Sequence, residues 1–318
     1  MPPAPPHLLA QLDDPDPNQR QLALLDLQER ATSDDLETIV RLLTDADAVV
    51  RRLALETLEE LGDVRALPAM IARLGDEDSG VRASALAALR EFRGEAAAAY
   101  LLEQVSHPLA EVRSGVVVAL RELRDRRALR PLVALLHDPA AVVRYEAVVT
   151  LAFLKTPDSV DPLRLRLRDA DENVRRAALG ALAQFIGPEL LDDVKLALGD
   201  SSWRVRREAA VVLARSGLAG AVPALRQALG DAYWQVQKEA ALALGKLNAT
   251  AAVGDLTELL GSTSADLRRA AALALGEIRA SAARPRLLPL LEDPHVDVRK
   301  AARLALAALD ADGPGGVA

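Results

Sequence analysis

The sequence predicts an all-α fold, a right-handed α-solenoid of ten 31-residue helix–turn–helix repeats, and three observations carry that prediction. Arg20, Arg51, Arg82, Arg113, Arg144, Arg175, Arg206, Gln237, Arg268 and Arg299 stand 31 residues apart with no insertion or deletion between them. Apolar residues recur around each of these markers at helical spacing, with no strand-like alternation. Half of the residues are apolar but only 3% are aromatic, so the core has to be built from Ala, Leu and Val, which suits closely packed helices. A fixed period of this length signals repeats that bury their apolar faces only against neighbours, so the chain is one stack rather than several globular cores.

The first helix of each repeat carries a stripe that is apolar in all ten: Leu8, Ile39, Met70, Leu101, Leu132, Leu163, Val194, Leu225, Leu256 and Leu287. Four residues later stands Leu, or Val105 in one repeat, which keeps both positions on one helical face. Pro68, Pro131, Pro162, Pro223 and Pro285 fall early in this helix, where a missing N–H is tolerated. Asp follows in eight repeats, six residues before the marker, with His107 and Ser262 as the exceptions. The turn then supplies Asp16, Asp47, Asp78, Asp171, Ser202 and Ser264 in one register, suited to accept the orphan N–H groups of the second helix.

The second helix carries the marker. Val precedes it in eight repeats, Ala stands three residues after it in nine, and Leu seven residues after it in all ten. These spacings form one stripe, whose central Ala lets a neighbouring helix approach. Gly62, Gly217 and Asn248 share a register after this helix and suit left-handed C-caps. Two helices of about three turns and two short turns account for the repeat. The first helix of repeat 1 is truncated to about residues 6–13, and the solenoid is expected over 1–309 with 310–318 as a flexible tail.

Segments such as DADAVVRRLALETL and DADENVRRAALGAL make the pattern explicit. It resembles HEAT repeats of the short phycobilisome, or bilin-lyase, HEAT-like type over nearly the whole chain. The resemblance implies that the second helices line a concave groove. It also implies that Asp45, Arg51 and their equivalents bond within and between repeats as a structural ladder. Bilin-lyase-like attachment of a chromophore is a further activity it raises.

Composition excludes several chemistries. There is no cysteine, hence no disulfide, thiolate or cysteine-ligated metal. His7, His107, His137 and His295 are scattered, with no H-x-x-x-H or H-E-x-x-H spacing. Deoxyhypusine hydroxylase, a HEAT-like enzyme, holds two irons with repeated His-Glu pairs, and this chain has no His-Glu dipeptide. No glycine-rich phosphate loop appears. No catalytic, metal or cofactor residues are therefore assigned, and no cofactor is expected. Apolar stretches are broken by charge well before membrane-spanning length and the N-terminus lacks the pattern of a secretory signal, so a cytoplasmic location is expected.

Because the recurrent residues serve stacking, function is sought where the repeat is broken. Trp203 and Trp234 occupy one register, three before the marker, and are expected side by side on adjacent repeats. Tyr233 adjoins them, Tyr145 follows the marker of repeat 5, and Gln237 replaces the marker arginine beside Trp234. The residue after the marker is Arg176, Arg207, Lys238, Arg269 and Lys300 in the last five repeats, a basic column with Glu208, Glu239, Asp266 and Asp297 nearby. These nine aromatic and basic residues are the candidate partner-binding set, beside the reading that they merely cover repeat junctions and a charge-balanced face. The expected function is a non-catalytic scaffold that holds a protein or peptide in the groove. The alternatives are nucleic-acid binding like that of HEAT-like alkylpurine glycosylases, which a net charge of −7 opposes, and bilin-lyase-like action.

Overall fold

The computed structural model describes residues 6–28 and 30–310, and every regular element among them is helical. Two compact units follow one another in the chain, one ending at Ser159 and the other starting at Val160. The first contains α1 (Pro6–Gln11), α2 (Pro17–Gln28), α3 (Leu36–Leu42), α4 (Ala48–Leu61), α5 (Leu67–Ala72), α6 (Ser79–Leu89), α7 (Glu95–Glu103), α8 (Ala110–Leu123), α9 (Leu129–Leu135) and α10 (Ala141–Leu154). The second contains α11 (Val160–Leu165), α12 (Glu172–Leu182), α13 (Pro188–Leu196), α14 (Trp203–Ser216), α15 (Val222–Ala228), α16 (Trp234–Lys246), α17 (Val253–Leu259), α18 (Ala265–Glu277), α19 (Arg284–Leu287) and α20 (Val296–Asp310). Every even-numbered helix carries a marker residue. Of the expected tail, 311–318 lie outside the described residues, whereas Asp310 ends α20.

The second helices run to about three or four turns, as the period requires. The first helices are shorter than expected, because many tighten into 3₁₀ turns. After α19 the chain continues as a 3₁₀ segment, Leu288–Glu292. Pro289 has no N–H to return to the carbonyl of Pro285, so the α-ladder cannot be extended there. Both sequence stripes are buried: Val50, Ala54 and Leu58 on α4, and Ile39, Met70 and Leu101 on successive first helices, show no exposed surface.

The caps follow the sequence with informative exceptions. Asp47 Oδ1 accepts from the N–H groups of Val49 and Val50 at 3.0 Å each, and Asp78 and Asp171 cap α6 and α12 in the same way. Ser202 and Ser264 stand at the same position without making the side-chain bond. At the other end, Gly62, Gly217 and Asn248 are left-handed, with φ of 65°, 67° and 50°. Arg124, Lys155 and Arg279 share that register and that conformation, at φ of 50°, 52° and 56°. The geometry of the exit turn thus overrides an intrinsic preference that costs a Cβ-bearing residue roughly 1 kcal/mol.

Adjacent repeats in each unit are joined by the expected ladder. Arg113 places Nη1 on the carbonyls of His107 and Pro108, at 2.8 and 2.9 Å, and aims Nε and Nη2 at the carboxylate of Asp138, at 2.7 and 2.8 Å. Arg20–Asp45 in the first unit, and Arg175–Asp200, Arg206–Asp231 and Arg268–Asp293 in the second, repeat that fork. Arg51 reaches Asp76 through Nη2 alone, at 2.7 Å, in the most buried pair of the series. The hydrogen bond to the partner Asp holds all six guanidinium groups above their ordinary pKa, against the opposing effect of burial. Bonds from Arg206 and Arg268 likewise hold the carboxyls of Asp231 and Asp293 below theirs.

Beside this shared ladder, the last turns of successive second helices meet differently in the two units. In the second unit a Cβ added to Gly245 would lie 2.7 Å from Ala274 Cα, and one added to Gly276 would lie 2.8 Å from Ala305 Cα. Backbone therefore approaches backbone, and only glycine fits. In the first unit the same register, the eighth residue after the marker, holds Gln28, Glu59, Arg90, Arg121 and Ala152. Gln28 donates to Glu60 at 2.5 Å and Arg90 to Glu122 at 2.7 Å, while Arg121 pairs with Glu146 and lies 5.6 Å from the Phe153 ring.

Candidate functional site

The clustered aromatic residues sit at the starts of α14 and α16, where the local rules of the repeat are broken. Tyr233 occupies the N-cap position that Asp or Ser holds in six other repeats, so α16 begins without a side-chain cap. That omission gives up about 1 kcal/mol of helix stability. In exchange the Tyr233 ring stacks on Trp203, with centroids 5.7 Å apart and planes 13° from parallel. Trp203 and Trp234 were expected side by side, but the residue that meets Trp203 is Tyr233. Trp234 opens α16 as a separate face, lying 5.7 Å from Lys238 Nζ. Tyr233 and Trp234 remain 45% and 42% exposed, whereas Trp203 is half-buried against the core of the unit.

The ladder fixes this stack. Asp231 accepts the Arg206 fork at 2.6 and 2.9 Å and also the Tyr233 N–H at 2.8 Å. Its backbone carbonyl accepts from Gln237 Nε2 at 2.6 Å. Arg206 Cζ lies 5.5 Å from the Tyr233 ring, and Arg204 Cζ lies 5.0 Å from Trp203. Two cations therefore border the stacked pair, each in the geometry of a cation–π contact. Asp231 and Arg204 were not singled out from sequence. The residue at this position donates its N–H to the ladder carboxylate in capped repeats as well, Asp47 to Asp45 and Asp78 to Asp76, so nothing in the sequence marked Asp231.

The basic column is only partly a free array of charge. Arg207 lies 4.0 Å from Glu208, Lys238 lies 3.4 Å from Glu239, and Lys300 lies 3.6 Å from Asp297. Arg176 and Arg269 are half-buried and form no ion pair among the described residues. Tyr145 lies in the other unit, half-buried on α10. Three polar atoms close in sequence to the aromatic pair are buried without hydrogen-bond partners: Ser202 Oγ, Arg207 Nε and Gln235 Oε1. Such atoms occur in the first unit too, at Arg51 Nε, Arg73 Nε and Thr156 Oγ1, so they do not by themselves mark this place. Flat apolar faces rimmed by cations have the chemistry of a contact surface, in which Trp, Tyr and Arg are enriched.

Among the described residues, no three His, Cys, Asp or Glu side chains converge as a metal-holding group, and no helix is long and apolar enough to cross a membrane.

Comparison with known proteins places the chain. No curated protein matches it. An engineered protein of known structure aligns over 96% of this chain and 98% of its own, with a TM-score of 0.54 at 22% identity. A Kap121p mutant aligns over 96% of this chain and 42% of its own, with a TM-score of 0.71 at 15% identity. A chain in a structure of Kap95p with RanGDP aligns over 95% of this chain and 48% of its own, with a TM-score of 0.62 at 12% identity. At these identities the likeness is one of fold. A family model of HEAT repeats matches residues 5–90, 98–169, 160–236 and 222–307, nearly the whole length, so the chain belongs to the HEAT-repeat family.

Proposed function

We propose that this HEAT-repeat protein is a non-catalytic scaffold that binds a protein or peptide partner through the aromatic surface of repeats 7 and 8. The observation that carries this is the Tyr233 substitution: a helix cap is replaced by an exposed ring, which stacks on Trp203 beside Arg204 and Arg206. Stacking of the repeat does not require it, since other repeats are capped by Asp at that place. Kap95p, of like fold, is described with Ran as its protein partner, which supports this use of the architecture. The close approach of second helices at Gly245 and Gly276 supports placing the surface on the crowded, concave side of its unit.

Charge balancing along the basic column favours a peptide over nucleic acid, because Glu208, Glu239 and Asp297 answer three of the five cations. The 31-residue spacing supports membership of the bilin-lyase-like subtype. Chromophore attachment has no comparable support from particular residues.

The chain has two tryptophans, both at this surface, so selectively excited tryptophan fluorescence reports on it. Substituting Trp203 and Trp234 together by Ala is expected to leave the helical circular-dichroism signal and melting cooperativity intact. Recovery of crosslinked partners should fall at least about tenfold, the loss of roughly 1.4 kcal/mol of contact energy. Equal recovery of every partner by the double variant would remove the assignment. Binding that collapses with salt and is competed by DNA would instead favour nucleic acid.

A further inference from the structure

The ladder has two internal gaps, one in each unit, and they are chemically unlike. Between repeats 8 and 9 both partners are changed: Gln237 replaces Arg, and Ser262 replaces Asp. Both replacements are neutral, so no charge is left over. Between repeats 3 and 4 only the acceptor is changed, because Arg82 is retained and His107 stands where Asp would be.

Arg82 keeps its half of the arrangement. Its Nη1 donates to the carbonyls of Asp76 and Glu77 at 2.8 and 2.9 Å, as in every intact rung. His107 keeps part of the aspartate's role, since Nδ1 accepts from the Leu109 N–H at 3.1 Å, matching the bond from Ala140 N–H to Asp138 at 2.9 Å. An imidazole so engaged does not neutralise a guanidinium. The Nε and Nη2 edge of Arg82, which in five intact rungs grips both oxygens of a carboxylate, has no acceptor among the described residues. The fork is thus oriented by backbone and lacks its anion.

Arg82 also borders a hollow of about 290 Å³ in the first unit. Its apolar walls are Leu74, Leu86, Val118 and Val142, and it exists beside Gly115, where an added Cβ would fall 2.8 Å from a Leu74 methyl. Glu111 and Glu146 border it too, the latter already paired with Arg121. Glu111 therefore opposes any anion there, a polyanion or a phosphate more than the single charge of a carboxylate held by the fork.

We propose that Arg82 and this hollow form a binding site for a single carboxylate carried on an apolar body. Such a group is presented either by a small aliphatic acid or by the free C-terminus of a peptide ending in an apolar residue. The guanidinium takes the carboxylate bidentately, as its equivalents take Asp, and the apolar body covers Leu74, Leu86, Val118 and Val142. The site lies in the unit that lacks the aromatic surface and stands independently of the scaffold reading.

The experiment is calorimetric titration with hexanoate, with hexanol as the uncharged control. A tripeptide ending in Leu, with free or amidated C-terminus, separates the two sources. Wild type is expected to bind hexanoate or the free-ended tripeptide saturably, and neither hexanol nor the amidated tripeptide. Arg82→Gln should weaken binding at least about tenfold. The deciding variant is His107→Asp, which supplies the missing rung from within: it should raise Tm and also abolish carboxylate binding. Binding that survives in His107→Asp, or the failure of both carboxylates to bind wild type at millimolar concentration, overturns the proposal.

Discussion

Repeats in the first unit and repeats in the second share one ladder and differ in how the ends of their second helices meet. In residues up to Ser159 the interface is made by long polar side chains, Gln28 to Glu60 and Arg90 to Glu122. Between α16 and α18 and between α18 and α20 it is made by backbone against Ala, at Gly245 and Gly276. The same register therefore serves two kinds of interface. One is directional, solvated and tolerant of loss; the other is steric and intolerant of any gain. The 31-residue period thus fixes which positions face a neighbour, while side-chain volume at those positions fixes how close the neighbour comes.

The sharpest test of the shared part is to break the ladder in each unit. Asp76→Ala in the first unit and Asp200→Ala in the second each leave a largely buried guanidinium without its carboxylate. Each is expected to lower stability by about 3 kcal/mol, because the change strands a buried charge as well as removing an attraction. Urea denaturation measures it. A loss below about 1 kcal/mol at either site would mean that the ladder is not the common frame.

The unshared part is tested by exchanging side-chain size. Gly276→Leu forces four carbons into a space where even a Cβ falls 2.8 Å from Ala305 Cα, and should cost about 2–3 kcal/mol. Arg90→Ala in the equivalent register of the first unit removes a half-exposed ion pair to Glu122 and should cost only about 0.5 kcal/mol. The Arg90 effect should shrink at high salt and the Gly276 effect should not. Similar costs, or a salt-dependent loss at Gly276, would erase the distinction between the two interfaces.

Much of this was legible from the residues themselves. Period, helix faces, N-caps at Asp47, Asp78 and Asp171, and the C-cap register all follow from spacing and from the chemistry of Asp, Pro, Gly and Asn. The left-handed conformations of Arg124, Lys155 and Arg279 were not legible, since a long side chain carries no local signal for positive φ; only the register of the exit turn imposes it. The aromatic site was located but its pairing was not. Trp203 and Trp234 share a register, yet ring contact depends on side-chain reach, and Tyr233 projects from the turn into the space that the sequence assigns to Trp234. The central role of Asp231 was hidden because it looks like any other ladder residue until the ring it anchors is seen.

The smallest expected effect isolates one flaw in the polar interface of the first unit. Glu59 stands in the register of Gln28 and Arg90, but the next helix end offers Glu91 rather than a donor. Burial first, and then repulsion from Glu91, Glu56 and Glu60, raise its carboxyl above the ordinary value of 4.5. A carboxyl raised on folding favours the native state in its protonated form. Its contribution is therefore fully present below the unfolded value and is lost as pH rises through the folded one. Asp231 and Asp293 have the opposite sign: their depressed carboxyls support the fold above the ordinary Asp range, and that support is lost as pH falls. Glu59→Gln removes only the first behaviour. The variant should match wild type in acid, below the ordinary Glu value, and exceed it by about 0.5 kcal/mol at neutral pH. A difference between the two proteins that grows toward acid, or its absence at neutral pH, would show that Glu59 is not strained against its neighbour. The polar interface would then tolerate like charges as readily as it tolerates the loss of Arg90.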